Sequence, residues 1–321
     1  MANKTKRIFK RVLQYTVIIA ITFLIISAGA TKVIYDLCFP RYEGQDILLD
    51  EELTKLQEER QKAEFYSGEN LLAGYLYSPA DGTKENLVFF VLGMNAAVND
   101  YLWQIKSFTD NGYGVFIFDP TGCGESEGKS AVGFSQILLD LNAALDFAEK
   151  EQNFGFERIF LFGHSRGGYA ACCALSYGYD ITAVASVNGI NSAMEGIMMP
   201  AAKVVGNIAY TNYPLLWLYQ ISLFGVEAVN ISAAQALEES KTPALIIHSA
   251  EDEIVPTNRF SIVSHVENTE YLTEIPEYDT DNKDSHAGIL FDKDGKANKE
   301  LFETVIHFFE KAANAAENGE Q

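Results

Sequence analysis

Three residues far apart in this sequence have the surroundings that acyl-transfer chemistry needs. Ser165 lies in Gly163-His-Ser-Arg-Gly167, directly after the apolar run Arg158-Ile-Phe-Leu-Phe162. The pattern predicts a strand that turns sharply into a helix with a serine at the apex. A turn this tight strains the serine backbone. Side chains two residues to either side would collide with strand and helix, so glycine is required at both places. The small residues Tyr169-Ala-Ala-Cys-Cys-Ala-Leu175 follow, which let a helix lie close to a sheet. Its N-terminus favours negative charge beside the hydroxyl. The same pattern also suits a glycine-rich turn with no chemistry.

A serine hydroxyl is a weak nucleophile and needs a histidine to take its proton. A carboxylate must then orient that histidine and stabilise the imidazolium. In chain order the acid follows the serine and the base follows the acid. Asp252 comes next, in the acidic loop after the buried-strand run beginning at Ala244. Glu251, Glu253 and Asp284 are the rival carboxylates. His286 follows in the polar stretch 278–288, after a final strand expected over Thr269 to Glu277. Of the five histidines, His164 is expected to point away from the site. His248 lies within a strand, His265 lies just before the last strand, and His307 lies mid-helix. That leaves His286 as the base, against the bland alternative of a solvated loop histidine.

With these residues in view, the chain resembles the α/β-hydrolases, in particular the serine hydrolases that include esterases, lipases and serine aminopeptidases. The resemblance runs from about Gln61 to Ala312. Asp119-Pro-Thr-Gly-Cys-Gly-Glu-Ser-Glu-Gly128 is similar to the family's loop after the fourth strand. Gly163 to Gly168 is similar to its elbow, and Ile231 to Leu237 with Thr242 to Asp252 is similar to the stretch entering the acid loop. Two departures bear on local packing and the oxyanion loop. Leu92-Gly93 stands where the family has His-Gly, and Thr121 stands where it has arginine. The resemblance implies an oxyanion hole of backbone N–H groups, one from Arg166 and one from Met94, with Asn95 beside it. It also implies a helical cap near 189–231, rich in Met and aromatic residues. Most of these would pack the cap onto the core, and a minority would line substrate.

The elements that must position these residues follow from hydropathy. Apolar runs at 87–92, 113–118, 158–163, 181–187 and 244–249 alternate with helical patterns. They predict a mostly parallel central sheet with helices on both faces, an α/β class fold. A hairpin over about 63–79 opens the sheet, and an amphipathic helix from Lys299 to Ala312 closes the domain. Residues Asp50 to Lys62 read as a stalk or edge helix.

The N-terminus sets the location. Residues 1–11 hold Lys4, Lys6, Arg7, Lys10 and Arg11 with no acid, and Val12 to Thr31 holds no charge. This predicts a basic cytoplasmic tail (1–11), a single transmembrane signal anchor (12–31) and a linker (32–60). An extracytoplasmic hydrolase domain (61–313) and a disordered tail (314–321) would follow. Ala28-Gly-Ala30 also fits a signal-peptide cleavage site, which would make the domain secreted.

The chain carries net charge −20, so the part after residue 11 carries −25. That disfavours nucleic acid and anionic lipid surfaces as partners. A small ester or short peptide is the expected substrate, and the membrane is the expected partner of the N-terminal helix. Gly122 to Ser130 approximates a phosphate-binding loop, but Cys123 replaces a glycine, and Glu125 and Glu127 repel phosphate. No cofactor and no metal are expected, because the four cysteines form neither a CxxC nor a Cys/His cluster.

Overall fold

The computed structural model describes residues 2–45, 49–257, 259–266, 272–273 and 285–318. Eight strands form one sheet in the order β1-β2-β4-β3-β5-β6-β7-β8. They are β1 (Gln61–Ser67), β2 (Asn70–Tyr77), β3 (Asn86–Val91), β4 (Tyr113–Phe118), β5 (Arg158–His164), β6 (Ala183–Val187), β7 (Ala244–Ile247) and β8 (Leu272–Thr273). The β1-β2 hairpin pairs antiparallel, and β2 pairs antiparallel with β4. From β4 to β8 every pairing is parallel. The central strands are unbroken apolar runs because both faces are covered. All of Leu87 to Val91 is buried, as is every residue of β4.

Ten helices accompany the sheet among the described residues. They are α1 (Ala2–Cys38), α2 (Glu51–Glu59), α3 (Leu102–Thr109), α4 (Gln136–Lys150), α5 (Arg166–Ala174), α6 (Ala193–Val205), α7 (Tyr213–Asn230), α8 (Ala233–Ser240), α9 (Ser285–Gly288) and α10 (Lys299–Glu317). One apolar layer lies between the sheet and α4, α5 and α8. The other joins the sheet to α3 and α10 through Phe108, Phe162, Phe302 and Phe309. Asn298 caps α10 by accepting from the Leu301 N–H. The stripe Leu301, Phe302, Val305, Ile306 and Phe309 faces the core, as helical periodicity demands.

Several boundaries differ from the sequence reading. The N-terminal helix does not stop at Thr31 but continues to Cys38, so most of the expected linker's first turns are helix. Residues 39–43 then bind the domain. Tyr42 N–H donates to the Gly122 carbonyl and Gly124 N–H to the Tyr42 carbonyl, at 3.0 and 2.8 Å. The Arg41 guanidinium donates to the carbonyls of Gly124, Ser126 and Gly128 at 2.7–2.9 Å. The stalk helix is α2 alone, capped by Asp50, and Lys62 belongs to β1. The C-terminal helix runs to Glu317, so the expected disordered tail is helical over 314–317. Of the expected final strand only Leu272–Thr273 falls within the described residues. Asp284 and the loop 278–284 lie outside them.

Between β6 and β7 the chain forms α6, a 3-10 segment (Gly206–Asn212) and α7. Their inner side chains Met194, Met198, Met199, Leu216 and Phe224 are buried against the core. Gly196 permits a close seat, since a Cβ there would lie 2.4 Å from the Phe134 ring.

Candidate active site

The carboxyl ends of β3, β5, β6 and β7 converge on one point. Ser165 occupies the β5-α5 turn with φ 56° and ψ −120°, a conformation rarely adopted by a residue with a side chain. The flanking glycines are sterically compelled. A Cβ on Gly163 would lie 2.2 Å from the Gly167 carbonyl oxygen, and one on Gly167 would lie 2.0 Å from the Val91 carbonyl oxygen. All nine residues of α5 are buried, so the helix presses its N-terminus directly behind the serine.

His286 lies in the short helix α9 rather than in an open loop. Its Nε2 is 2.8 Å from the Ser165 Oγ, and its Nδ1 is 2.7 Å from the Asp252 Oδ2. An Nδ1–H donating to the carboxylate leaves Nε2 as the acceptor for the serine hydroxyl. The structure therefore brings Ser165, Asp252 and His286 together. Glu251 and Glu253 are not in that chain.

The Asp252 side chain is fully buried. Burial opposes its charge, but hydrogen bonds from His248 and His286 and the Val255 N–H hold its carboxyl well below the ordinary range. Its other oxygen accepts from the N–H groups of Ile254 and Val255, both at 2.8 Å. His248 stands 3.4 Å from Oδ2 while its Nε2 donates to the Val255 carbonyl at 2.8 Å. Its buried Nδ1 has no partner among the described residues. This histidine braces the acid loop from beneath.

His164 does not point away from the site. Its Nε2–H donates to the His286 carbonyl at 2.9 Å, and its ring centre is 5.1 Å from that of His286. Burial and the neighbouring His286 lower its pKa to about 3, so the ring stays neutral. Asn188, at the end of β6 with φ 50°, donates to the same carbonyl at 2.8 Å. Its Oδ1 accepts from the Ser249 N–H at 2.8 Å. Two donors from neighbouring strands thus hold the backbone of His286. Sequence reasoning missed both. Asn188-Gly189 reads only as a turn dipeptide, and a histidine before the serine carries no distinguishing signal.

The loop after β3 lies against Ser165. A Cβ on Gly93 would be 3.6 Å from the Ser165 Cβ, and Met94 follows with a partly exposed side chain. Asn95 has φ 53°. Two side chains fix this loop from below. Arg166 is fully buried, with Nη2 donating to the Gly93 carbonyl at 3.3 Å and Nε without a partner among the described residues. The Tyr101 hydroxyl meets His164 Nδ1 at 3.4 Å. Only a backbone role for Arg166 was legible in the sequence.

The stretch 119–128 is structural. Asp119 accepts from the N–H groups of Val98 and Glu125. Thr121, in place of the expected arginine, bonds the buried Asp140 through both its N–H and its hydroxyl.

Residues 82–222 match the family described as serine aminopeptidase, S33. The match contains Ser165 and much of the cap, and it ends before Asp252. A stretch of 92 residues is 30% identical to a proline iminopeptidase of Thermoplasma volcanium. It covers 29% of this chain and 28% of the length of that relative. Among solved structures, an esterase of Pyrococcus furiosus superposes with TM-score 0.59 at 17% identity, over 85% of this chain and 98% of the other. An acylaminoacyl peptidase of Pyrococcus horikoshii gives 0.51 at 19%, over 83% and 44%. A Butyrivibrio proteoclasticus protein solved with ferulic acid gives 0.54 at 18%, over 78% and 98%. Identities this low carry the fold and no substrate.

Proposed function

We propose, from the premise that this chain is an α/β-hydrolase of the esterase and peptidase group, that it cleaves a carboxylic ester with Ser165, His286 and Asp252 as a catalytic triad. One observation carries the reading: a single imidazole is hydrogen-bonded to the strained serine on one side and to a buried carboxylate on the other. In this mechanism Ser165 Oγ attacks the substrate carbonyl while His286 Nε2 takes its proton. Asp252 holds the tautomer and stabilises the imidazolium. The N–H groups of Met94 and Arg166 receive the oxyanion. The imidazolium then protonates the leaving alcohol as the tetrahedral intermediate collapses to an acyl-enzyme. His286 next deprotonates a water, which attacks the acyl carbon. Collapse of the second intermediate releases the acid and returns the proton to Ser165. The steps use side chains, backbone and water alone.

A peptide or amide substrate is the second reading, favoured by the serine aminopeptidase match. We also infer that α1 anchors the chain in a membrane. Its 33-residue stretch from Lys6 to Cys38 is apolar enough to cross one, and the basic residues before Val12 favour an orientation with the hydrolase domain outside.

A fluorophosphonate probe tests the nucleophile. The wild type is expected to be labelled and Ser165→Ala is not. A folded wild type that stays unlabelled would overturn the triad and leave a binding module. Chromogenic esters of graded acyl length, run beside aminopeptidase substrates, decide between ester and peptide.

A further inference from the structure

The cap and the N-terminal helix meet at one level. Along α1, Ser27 is half-buried and Thr31, Tyr35 and Phe39 are buried or follow directly as buried residues, one contact every helical turn. Before Ser27 the described side chains are exposed, including Ile18, Ile19, Phe23 and Ile26. The uncharged run Val12–Thr31 spans about 30 Å, the thickness of a bilayer's hydrocarbon core. Its last residue, Thr31, accepts a hydrogen bond from Asn212 at the end of the 3-10 segment, at 2.7 Å. One residue on, Lys32 and Asp36 bond the Tyr219 hydroxyl of α7 at 3.2 and 2.7 Å.

From Asn212 the chain leads back to the catalytic site. The 3-10 segment rises about 2 Å per residue, so Ile208 lies within about 8 Å of Asn212. Further back, the Lys203 ammonium reaches the carbonyl of Glu253, next to Asp252. The span 203–212 therefore runs from the acid loop to the membrane end of α1. Its outer side chains Val204 and Ile208 are 84% and 66% exposed. Leu218 and Val226 on α7 and Ile254 in the acid loop are also exposed. Within 189–231 the only charged residues are Glu195, Lys203 and Glu227, so the strong negative charge of the domain lies elsewhere. An apolar surface contiguous with the N-terminal helix, with Lys203, Glu251 and Glu253 at its edge, is suited to a lipid interface.

We propose that the cap, through Val204 and Ile208, rests in the interfacial layer of the bilayer. The catalytic site then opens toward lipid, and its substrate is an amphiphilic ester drawn from the membrane. This rests on the anchor and serine-hydrolase readings given above. The occupant is a neutral or zwitterionic lipid surface, since the acidic domain repels an anionic one.

The test uses the full chain reconstituted in phosphatidylcholine vesicles. A nitroxide is attached to Ile208→Cys in a Cys38→Ser background, and to Tyr66→Cys on β1 as the aqueous reference. At 208 the label should be shielded from a water-soluble nickel chelate and exposed to oxygen. Equal chelate access at 208 and 66 overturns the docking. In parallel, Val204→Glu with Ile208→Glu should slow hydrolysis of a long-chain ester held in the vesicle about tenfold, while a water-soluble short-chain ester is cleaved within about twofold of wild type. Equal rates on the vesicle ester overturn the substrate class. Failure of the earlier readings looks different. An unlabelled Ser165 removes the hydrolase, and recovery of the chain in the aqueous fraction without detergent removes the anchor.

Discussion

At the scale of residues, the site is ordered by which groups can change charge. In the proposed mechanism a neutral imidazole accepts the serine proton, so activity is expected to fall as pH falls. Asp252 is held below the ordinary aspartate range and stays anionic through that decline. His164, lowered to about 3, stays neutral through it. The acid limb of kcat/KM should therefore fall with a slope of one down to about pH 4. A slope of two would show a second group titrating and contradict this assignment. Stability has its own dependence. His164 gains a proton more readily unfolded than folded, so acidification below about pH 6.5 should lower the melting temperature, and His164→Gln should flatten that trend. Asp252→Asn should leave the fold intact and cut kcat by about 10⁴-fold, since the wrong imidazole tautomer then faces Ser165. Ser165 and Asp252 were legible in the sequence because each follows an apolar run, and His286 because it comes after both in the required chain order. The bracing residues were not. His164, Asn188 and the Arg166 guanidinium act through carbonyls brought together only by folding, and no local pattern encodes a partner more than seventy residues away.

At the scale of elements, the sheet was readable where both faces are covered, because continuous apolar runs then have no competing explanation. The readings failed where tertiary contacts decide the state. Helix α9 is four residues long, too short for any periodicity. The end of α1 is set by Tyr35 and Phe39 docking onto the domain, not by the last apolar residue. The β5-α5 junction is the least forgiving element. A methyl group on Gly167 would sit 2.0 Å from the Val91 carbonyl oxygen, inside any allowed contact. Gly167→Ala should destabilise by about 4 kcal/mol or more, seen as loss of the cooperative melt or of soluble yield. A variant melting within a few degrees of wild type would mean that strand and helix separate easily there.

At the scale of the whole molecule, the N-terminal helix α1 and the hydrolase domain are one body. Arg41 donates to three carbonyls of the 124–128 loop, and the strap around it bonds Gly122 and Gly124. In the sequence this arginine reads only as a charge following an apolar segment. Arg41→Ala should lower stability by about 2–3 kcal/mol and raise amide exchange in residues 39–45 and 122–128, with the triad geometry unchanged. Unaltered exchange in those segments would mean that the strap is fastened by its backbone alone. The unbroken helix from Ala2 to Cys38 has a further effect. A domain on a string tumbles and samples every heading. A domain on a rod keeps one tilt and one height, and explores its surroundings only by sliding sideways and spinning about a single axis. With α1 in a bilayer, as proposed, its encounters are counted per area rather than per volume.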